Sequence, residues 1–225
     1  MAIIADTSLA GQLYLPASQA AHAKFGREVI DVTRYEVFTQ DYFPILTPVV
    51  AKNPDVIDFA GGNKGDIDLM VKQVRELGYT GLLAGGAHGD PQSTIDIAGA
   101  AAAEGFMVND PDYSSDLYPE STHEIYREFQ QRFPGQPVAL TNYLGYGTVM
   151  LYVQAIEKAG SIDPDMVRTV LDDPTFRFEW FGNPGKSMGG LETFRILRQV
   201  QDEVGFSEVV NGKKVMRSRL AIVVP

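Results

Sequence analysis

The chain lacks cysteine altogether, which excludes disulfide bonds, zinc–thiolate sites and thiol nucleophiles. Long hydrophobic runs are also missing: no apolar stretch approaches the roughly 18 residues of a membrane-spanning helix. The N-terminus has no basic segment followed by a long apolar one, so the sequence as it stands predicts no secretory signal peptide. Burial of apolar side chains is therefore left as the means of holding the fold together.

Basic residues are in deficit, because 19 Lys and Arg face 29 Asp and Glu and give the 225-residue chain a net charge of −10. An acidic surface repels the phosphate backbone, so the composition argues against a nucleic-acid partner. Apolar residues make up 44% and charged residues 21%, which is ordinary for a globular protein. The length predicts one or two domains.

The first half of the chain alternates strand-like and helix-like segments. The clearest helix begins near Asp66, ends before Gly78 and carries apolar residues at helical spacing. Strands that alternate with helices of about 10–15 residues predict βαβ units, and hence the α/β class with a parallel sheet. The predicted strands are Ala2–Ala5, Glu28–Val37, Asp55–Phe59, Leu82–Ala84 and Phe106–Val108, and the predicted helices are Gly11–Phe25, Phe43–Ala51, Asp66–Leu77 and Pro91–Ala103.

The pattern changes after a polar segment at Asn109–Tyr118, which is typical of a crossing between domains. Longer helices and then β character follow it. The predicted elements are helices at Pro119–Phe133, Asn142–Ala159 and Pro164–Asp172, a strand-like stretch at Thr175–Phe181, a Gly- and Pro-rich loop at Gly182–Gly190 and a strand at Phe194–Gln201.

The sequence contains the beginnings of three catalytic or metal-binding motifs, and each of them lacks a required residue or its structural context. Gly185–Gly189 matches the G-x-S-x-G nucleophile elbow around Ser187, but turn residues precede it and all three histidines come earlier in the chain. The same segment fails as a phosphate-binding loop, because Trp180 stands where the first glycine is needed. His123 begins a zinc-protease motif whose second histidine is replaced by Arg127. The sequence therefore predicts no enzyme, no metal and no cofactor, with a small α/β hydrolase that uses Ser187 as the weakest alternative.

Two glycine-rich segments, Gly61–Gly65 and Gly85–Asp90, each join a predicted strand to a predicted helix. In open α/β sheets, ligands bind beyond the carboxyl ends of the strands, where glycine lets the backbone approach and helix N-termini attract anions. Short strand-to-helix turns also contain glycine for purely structural reasons. From the pattern alone, a binding role and a structural role are equally supported.

The order and spacing of several short segments resemble the branched-chain amino acid binding proteins, which are type I periplasmic substrate-binding proteins of ABC transporters. The resemblance runs from about Ile3 to Val210. The segments that carry it are Ala2–Asp6 with Gly11, Asp41–Pro44, Ala51–Ile57, Lys72–Tyr79, Ala102–Gly105, Tyr143–Tyr146, Ala155–Gly160 and Val200–Asp202.

The resemblance implies a type I periplasmic-binding fold, in which two doubly wound α/β lobes are joined by three crossings and enclose the ligand. Residues 1–108 and 176–225 would form the second lobe, and residues 109–175 would form the helical remainder of a partial first lobe. The earlier part of that lobe has no counterpart here, so the resemblance implies a fragment. Exposed apolar stripes in the 109–175 segment would then favour a homo-oligomer.

The resemblance also implies where a ligand would bind. The family uses aromatic residues at the positions of Ala10 and Asn63 and an acidic residue near Ala87, and this chain departs from all three. Lys64 and His88 suit a carboxylate-bearing ligand better than a zwitterion. The implied ligand-binding residues are Thr7, Ser8, Leu9, Ala10, Asn63, Lys64, Gly86, Ala87 and His88.

Function follows from the resemblance as an expectation. It implies non-catalytic capture of a branched-chain amino acid or related small acid, delivery to an ABC transporter membrane permease, and a periplasmic or extracellular location. A ligand-sensing receptor or regulatory domain of the same fold stays open as the alternative.

Overall fold

The structure is a computed structural model that describes residues 1–86, 90–136, 138, 140–189 and 197–221. The strands are β1 (Ala2–Asp6), β2 (Asp31–Tyr35), β3 (Val56–Phe59), β4 (Leu82–Gly85), β5 (Phe106–Val108), β6 (Phe178–Trp180), β7 (Asn183–Met188), β8 (Val200–Gln201), β9 (Glu203–Val210) and β10 (Lys213–Ala221). The helices are α1 (Leu9–Lys24), α2 (Phe43–Ala51), α3 (Lys64–Glu76), α4 (Pro91–Ala98), α5 (Ala100–Ala103), α6 (Glu120–Arg132), α7 (Leu140–Ala159) and α8 (Pro164–Asp172).

The chain divides into two compact units. The first comprises Met1–Asp112 and Gly205–Ser218, and the second comprises Tyr113–Val204 and the end of β10 from Arg219 onward. The predicted boundary at residue 176 differs from this division, because residues 176–204 lie in the second unit. The physical reason is local pairing: β6 and β7 pair with each other, and Trp180 packs within 2.9 Å of where a Cβ on Gly147 of α7 would lie.

The first unit is built on a seven-stranded sheet with the order β10-β9-β5-β4-β3-β1-β2. The strands β1 to β5 run parallel, and β9 pairs antiparallel with β5. On one face, Ile4 and Phe59 join the large core beneath α2 and α3, and on the other, Ile3 packs with Leu15 of α1. Helices therefore cover both faces, which confirms the predicted doubly wound α/β class.

Burial on both faces explains why β1 reads as an unbroken apolar run: all of Ala2–Asp6 is buried. The stripe on α3 behaves as its spacing predicts, since Ile67, Met70, Val71 and Val74 are all buried in the same core. The predicted helix over 91–103 is instead interrupted at Gly99, which has a φ of 86°. Gly99 ends α4, and the short helix α5 begins at the next residue.

The β9–β10 hairpin completes the sheet and was not predicted from the sequence. Its two-residue turn is Asn211–Gly212, with φ values of 53° and 69°. Positive φ at both positions is the geometry that Asn-Gly favours in tight hairpins. This dipeptide is the signal that would have identified the hairpin.

The second unit contains α6, α7 and α8 and a small antiparallel sheet with the order β6-β7-β8. The predicted loop at Gly182–Gly190 is wrong for Asn183–Met188, which forms β7 because its backbone pairs with β6 on one side and β8 on the other. Of the strand predicted at Phe194–Gln201, Val200–Gln201 forms β8, and the part up to residue 196 lies outside the described residues.

Candidate functional site

The candidate site lies at the carboxyl ends of β1, β3 and β4, which are neighbours in the sheet and run parallel. The connections after these strands therefore meet at one edge of the sheet, as predicted for a ligand site. Leu9, Ala10 and Lys64 belong to the first turns of α1 and α3 rather than to loops. Ala87 and His88 lie outside the described residues.

The connection after β1 is organised by the buried carboxylate of Asp6. One of its oxygens, Oδ1, accepts hydrogen bonds from Ser8 Oγ at 2.7 Å, from the Ser8 amide at 3.1 Å and from the Gly11 amide at 3.0 Å. Ser8 Oγ also accepts from the Ala10 amide and so caps α1. The Thr7 side chain lies nearer the surface, where its Oγ1 donates to Glu36 Oε2 at 2.9 Å.

The connection after β3 turns tightly through Gly61 and Gly62. A Cβ at Gly62 would lie 2.3 Å from the Tyr35 hydroxyl oxygen, so the loop rests directly on that ring. Asn63 then caps α3, with its side-chain oxygen accepting from the Gly65 amide at 2.9 Å. The buried Asp66 follows in the first turn of α3, where a negative charge suits the helix dipole.

The connection after β4 is held at both ends. The Gly86 amide donates to the Phe59 carbonyl at 3.2 Å, which continues the pairing of β4 with β3. At the other end, Asp90 caps α4 by accepting from the Gln92 amide at 3.0 Å. The position of α4 is set by Asp68 of α3, which is fully buried and accepts hydrogen bonds from the hydroxyls of Ser93 and Thr94.

Lys64 and Asp90 form an ion pair across the edge of the site. Burial alone would raise the pKa of Asp90, but the hydrogen bond and charge of Lys64, with the amides of Gln92 and Ser93, hold it below its usual value. The ammonium of Lys64 is therefore partly neutralised by the Asp90 carboxylate. A ligand at this edge meets a charge pair rather than an isolated cation.

The arrangement is suited to holding a small polar group. Three helices begin at one sheet edge, and each has a side-chain cap from Ser8, Asn63 or Asp90. The partial positive charge of helix N-termini favours an anionic group beside them.

No group of three or more metal-ligating side chains occurs within the described residues. Ser187 lies inside β7, paired with Gln201 of β8, and so is not on the strand-to-helix turn that a nucleophile elbow requires.

Sequence reasoning missed two supports of the site. Tyr35, at the end of β2, lies under the Gly62 turn and is almost fully buried. Its burial raises its pKa, and the nearby carboxylates of Asp66 and Asp6 raise it further. Asp90 contributes both the α4 cap and the partner of Lys64. Its place before Pro91 is an N-cap signature that could have identified the first of these roles.

Residues 1–212 match the family model described as periplasmic binding protein. The match covers most of the chain, so this chain belongs to the periplasmic binding protein family, as its sequence resemblance indicated. No curated protein matches the chain significantly in sequence. None of the described helices is long and apolar enough to cross a membrane.

Solved structures with the same fold include a leucine-binding protein from Thermotoga maritima, at 21% identity and a TM-score of 0.80, over 97% of this chain and 59% of that one. A branched-chain amino acid ABC transporter protein from Thermus thermophilus with bound valine shares 18% identity, with a TM-score of 0.76 over 99% and 60% of the two chains. A solute-binding protein from Rhodopseudomonas palustris in complex with benzoate shares 14%, with a TM-score of 0.76 over 99% and 59%. The present chain thus spans about three fifths of the length of these proteins.

Proposed function

We propose that this chain is the solute-binding component of an ABC-type uptake system for a branched-chain amino acid or a related small acid. The observation that carries the proposal is the convergence of three capped helix N-termini on the carboxyl ends of the neighbouring parallel strands β1, β3 and β4. Family membership supports it. The role is capture and release without chemistry.

The ligand is proposed to carry a carboxylate and to need no α-ammonium group. The helix N-termini supply the attraction for the carboxylate, and Lys64 contributes less because Asp90 neutralises part of its charge. Among solved structures of this fold, one contains valine, a carboxylate with an α-ammonium group, and another contains benzoate, a carboxylate without one. The ligand-binding residues proposed are those that follow the three strands in the sequence: Thr7, Ser8, Leu9, Ala10, Asn63, Lys64, Gly86, Ala87 and His88.

Two experiments test the identity and the chemical class of the ligand. Mass spectrometry of small molecules released by denaturing the purified protein identifies what it carries. Calorimetric titration with leucine, with its deaminated 2-oxo analogue and with benzoate then compares the classes. We expect the 2-oxo acid to bind at least as tightly as leucine, and tight binding of leucine alone would contradict the proposal.

A variant links the binding to the site. Ser8→Asp places a second carboxylate beside Asp6 at the start of α1, where Asp can still cap the helix but cannot donate the hydrogen bond that Ser8 Oγ gives to Asp6. The added negative charge should weaken a carboxylate ligand by at least tenfold. Asp96→Asn, on the exposed side of α4, is the matched control and should leave the affinity unchanged.

The partners and location are proposed on the same basis. A protein of this kind hands its ligand to a membrane permease of the ABC transporter and works in the periplasm or outside the cell. Self-association through the 109–175 segment is also proposed, because that segment exposes large apolar side chains. Phe133 of this segment, and Val149 and Val153 of α7, are examples.

A further inference from the structure

A pocket of about 310 Å³ lies beside α1, wholly within the first unit. Its apolar wall consists of Tyr14, Ala17 and Ala21 on one side of α1, and Gly61 and Gly86 where β3 and β4 end. Because most of these residues have small side chains or none, the space between helix and sheet stays open. The volume is at the lower end of the range for small-molecule sites.

The floor of the pocket is polar and contains one carboxylate. Ser18 Oγ donates to Asp58 Oδ2 at 2.6 Å, and His22 Nε2 lies 3.0 Å from the same oxygen. The side chains of Asp58 and His22 are each 14% exposed, so the cluster is largely shielded from water. The other oxygen, Asp58 Oδ1, receives no hydrogen bond from the described part of the chain, although a carboxylate can accept several.

We propose that this pocket is a second ligand site, which binds a small primary ammonium ion with an apolar body. The ammonium donates to Asp58 Oδ1, and the apolar body lies against Tyr14, Ala17 and Ala21. The charge of Asp58 selects a cation over an anion, since no Lys or Arg is among the described residues that line the pocket and His22 contacts only Oδ2 of that carboxylate.

The site is distinct from the one under "Proposed function". The carboxylate-binding residues Thr7–Ala10, Asn63 and Lys64 do not line the pocket, and the two sites share only Gly86 among the described residues. The cluster is also not arranged for hydrolysis. The Ser18 hydroxyl donates to Asp58 rather than to His22, so this cluster does not contain the serine–histidine pair of a hydrolase nucleophile.

The test uses benzylamine, with benzyl alcohol as its uncharged analogue and benzoate as its anionic one, at pH 8. Amide chemical shifts in two-dimensional NMR follow the titrations. We expect benzylamine to shift the signals of Ala17, Ala21 and Gly61 in a saturable manner, with a dissociation constant of about 1 mM, given the few atoms of the probe. Benzyl alcohol and benzoate should bind at least ten times more weakly at this site.

Two variants locate the binding. Asp58→Asn keeps an oxygen for Ser18 but loses the charge, and should weaken benzylamine at least tenfold. Ala21→Leu fills the pocket from α1 and should abolish binding even if Asp58→Asn proves unstable. Asp96→Asn, which removes an exposed carboxylate of α4 outside the pocket, is the control for the lost charge and should leave benzylamine binding unchanged. Equal binding of benzylamine and benzyl alcohol, or undiminished binding by a folded Ala21→Leu protein, would overturn the proposal.

Discussion

At the residue scale, a single glycine allows the close backbone contact between α1 and β1 at the candidate site. The amide of Gly11 donates to Asp6 Oδ1, and a Cβ at Gly11 would lie 2.1 Å from the carbonyl oxygen of Asp6. No real Cβ can come so close to a backbone atom. The start of α1 can therefore fold back onto the end of β1 only if residue 11 is glycine.

Gly11→Ala should destabilise the protein by about 2–3 kcal/mol, because the added methyl group forces the start of α1 away from β1. Urea unfolding measures the change. Gly145→Ala is the matched control, since that glycine lies in α7 with open space around it. The control should gain about 0.5–1 kcal/mol from the better helix propensity of alanine. Equal effects of the two substitutions would contradict the close-contact argument.

At the scale of elements, the helices that frame the site are joined by polar side chains as well as by the core. Asp68 of α3 holds α4 through the hydroxyls of Ser93 and Thr94, although it is fully buried. Burial raises the pKa of Asp68, an effect that the two hydroxyls and the charge of Lys64 only partly offset. The link between α3 and α4 therefore carries an electrostatic cost when Asp68 is ionised.

This cost predicts a pH dependence. A carboxyl whose pKa is raised in the folded state stabilises the protein below its unfolded-state pKa, and that contribution is lost as the pH rises through the folded-state pKa. The stability of Asp68→Asn relative to the natural sequence should therefore increase between pH 4 and pH 7. Urea unfolding at each pH measures it, with Asp96→Asn as a control for the loss of one charge. A difference that stays constant or decreases would contradict the prediction.

At the scale of the whole molecule, the second unit buries one side of α7 and exposes another. Tyr143, Leu151 and Ala155 are buried, whereas Val149 is 63% and Val153 39% exposed. Each large apolar side chain left in water forgoes about 1.5–3 kcal/mol of burial. Large exposed apolar patches are typical of interaction surfaces, which is why we expect this face to find a partner.

We expect the isolated chain to self-associate through this face of α7. Size-exclusion chromatography with light scattering should give a mass above that of the 24.7 kDa chain. The double variant Val149→Glu and Val153→Glu should restore the monomer mass. Leu13→Glu, at an exposed position on α1 in the first unit, is the control and should leave the mass unchanged. If the unsubstituted chain has the mass of a monomer, the expectation is wrong.

The sequence by itself determined the α/β class and most elements of the first unit. Local signals were sufficient there: β1 reads as a buried apolar run, and the stripe on α3 has helical period. It also placed the candidate site at the strand ends, since parallel strands bring their carboxyl ends to one edge.

Only the tertiary structure decided which side chains pair across that edge and how the later strands associate. Lys64 and Asp90 are 26 residues apart, and Ser18 meets Asp58 over 40 residues, so no local pattern could join them. Likewise, Asn183–Met188 is rich in turn residues and becomes a strand only because β6 and β8 lie on either side of it. Strand pairing depends on partners that are distant in sequence, whereas helix periodicity is contained within the segment that forms the helix.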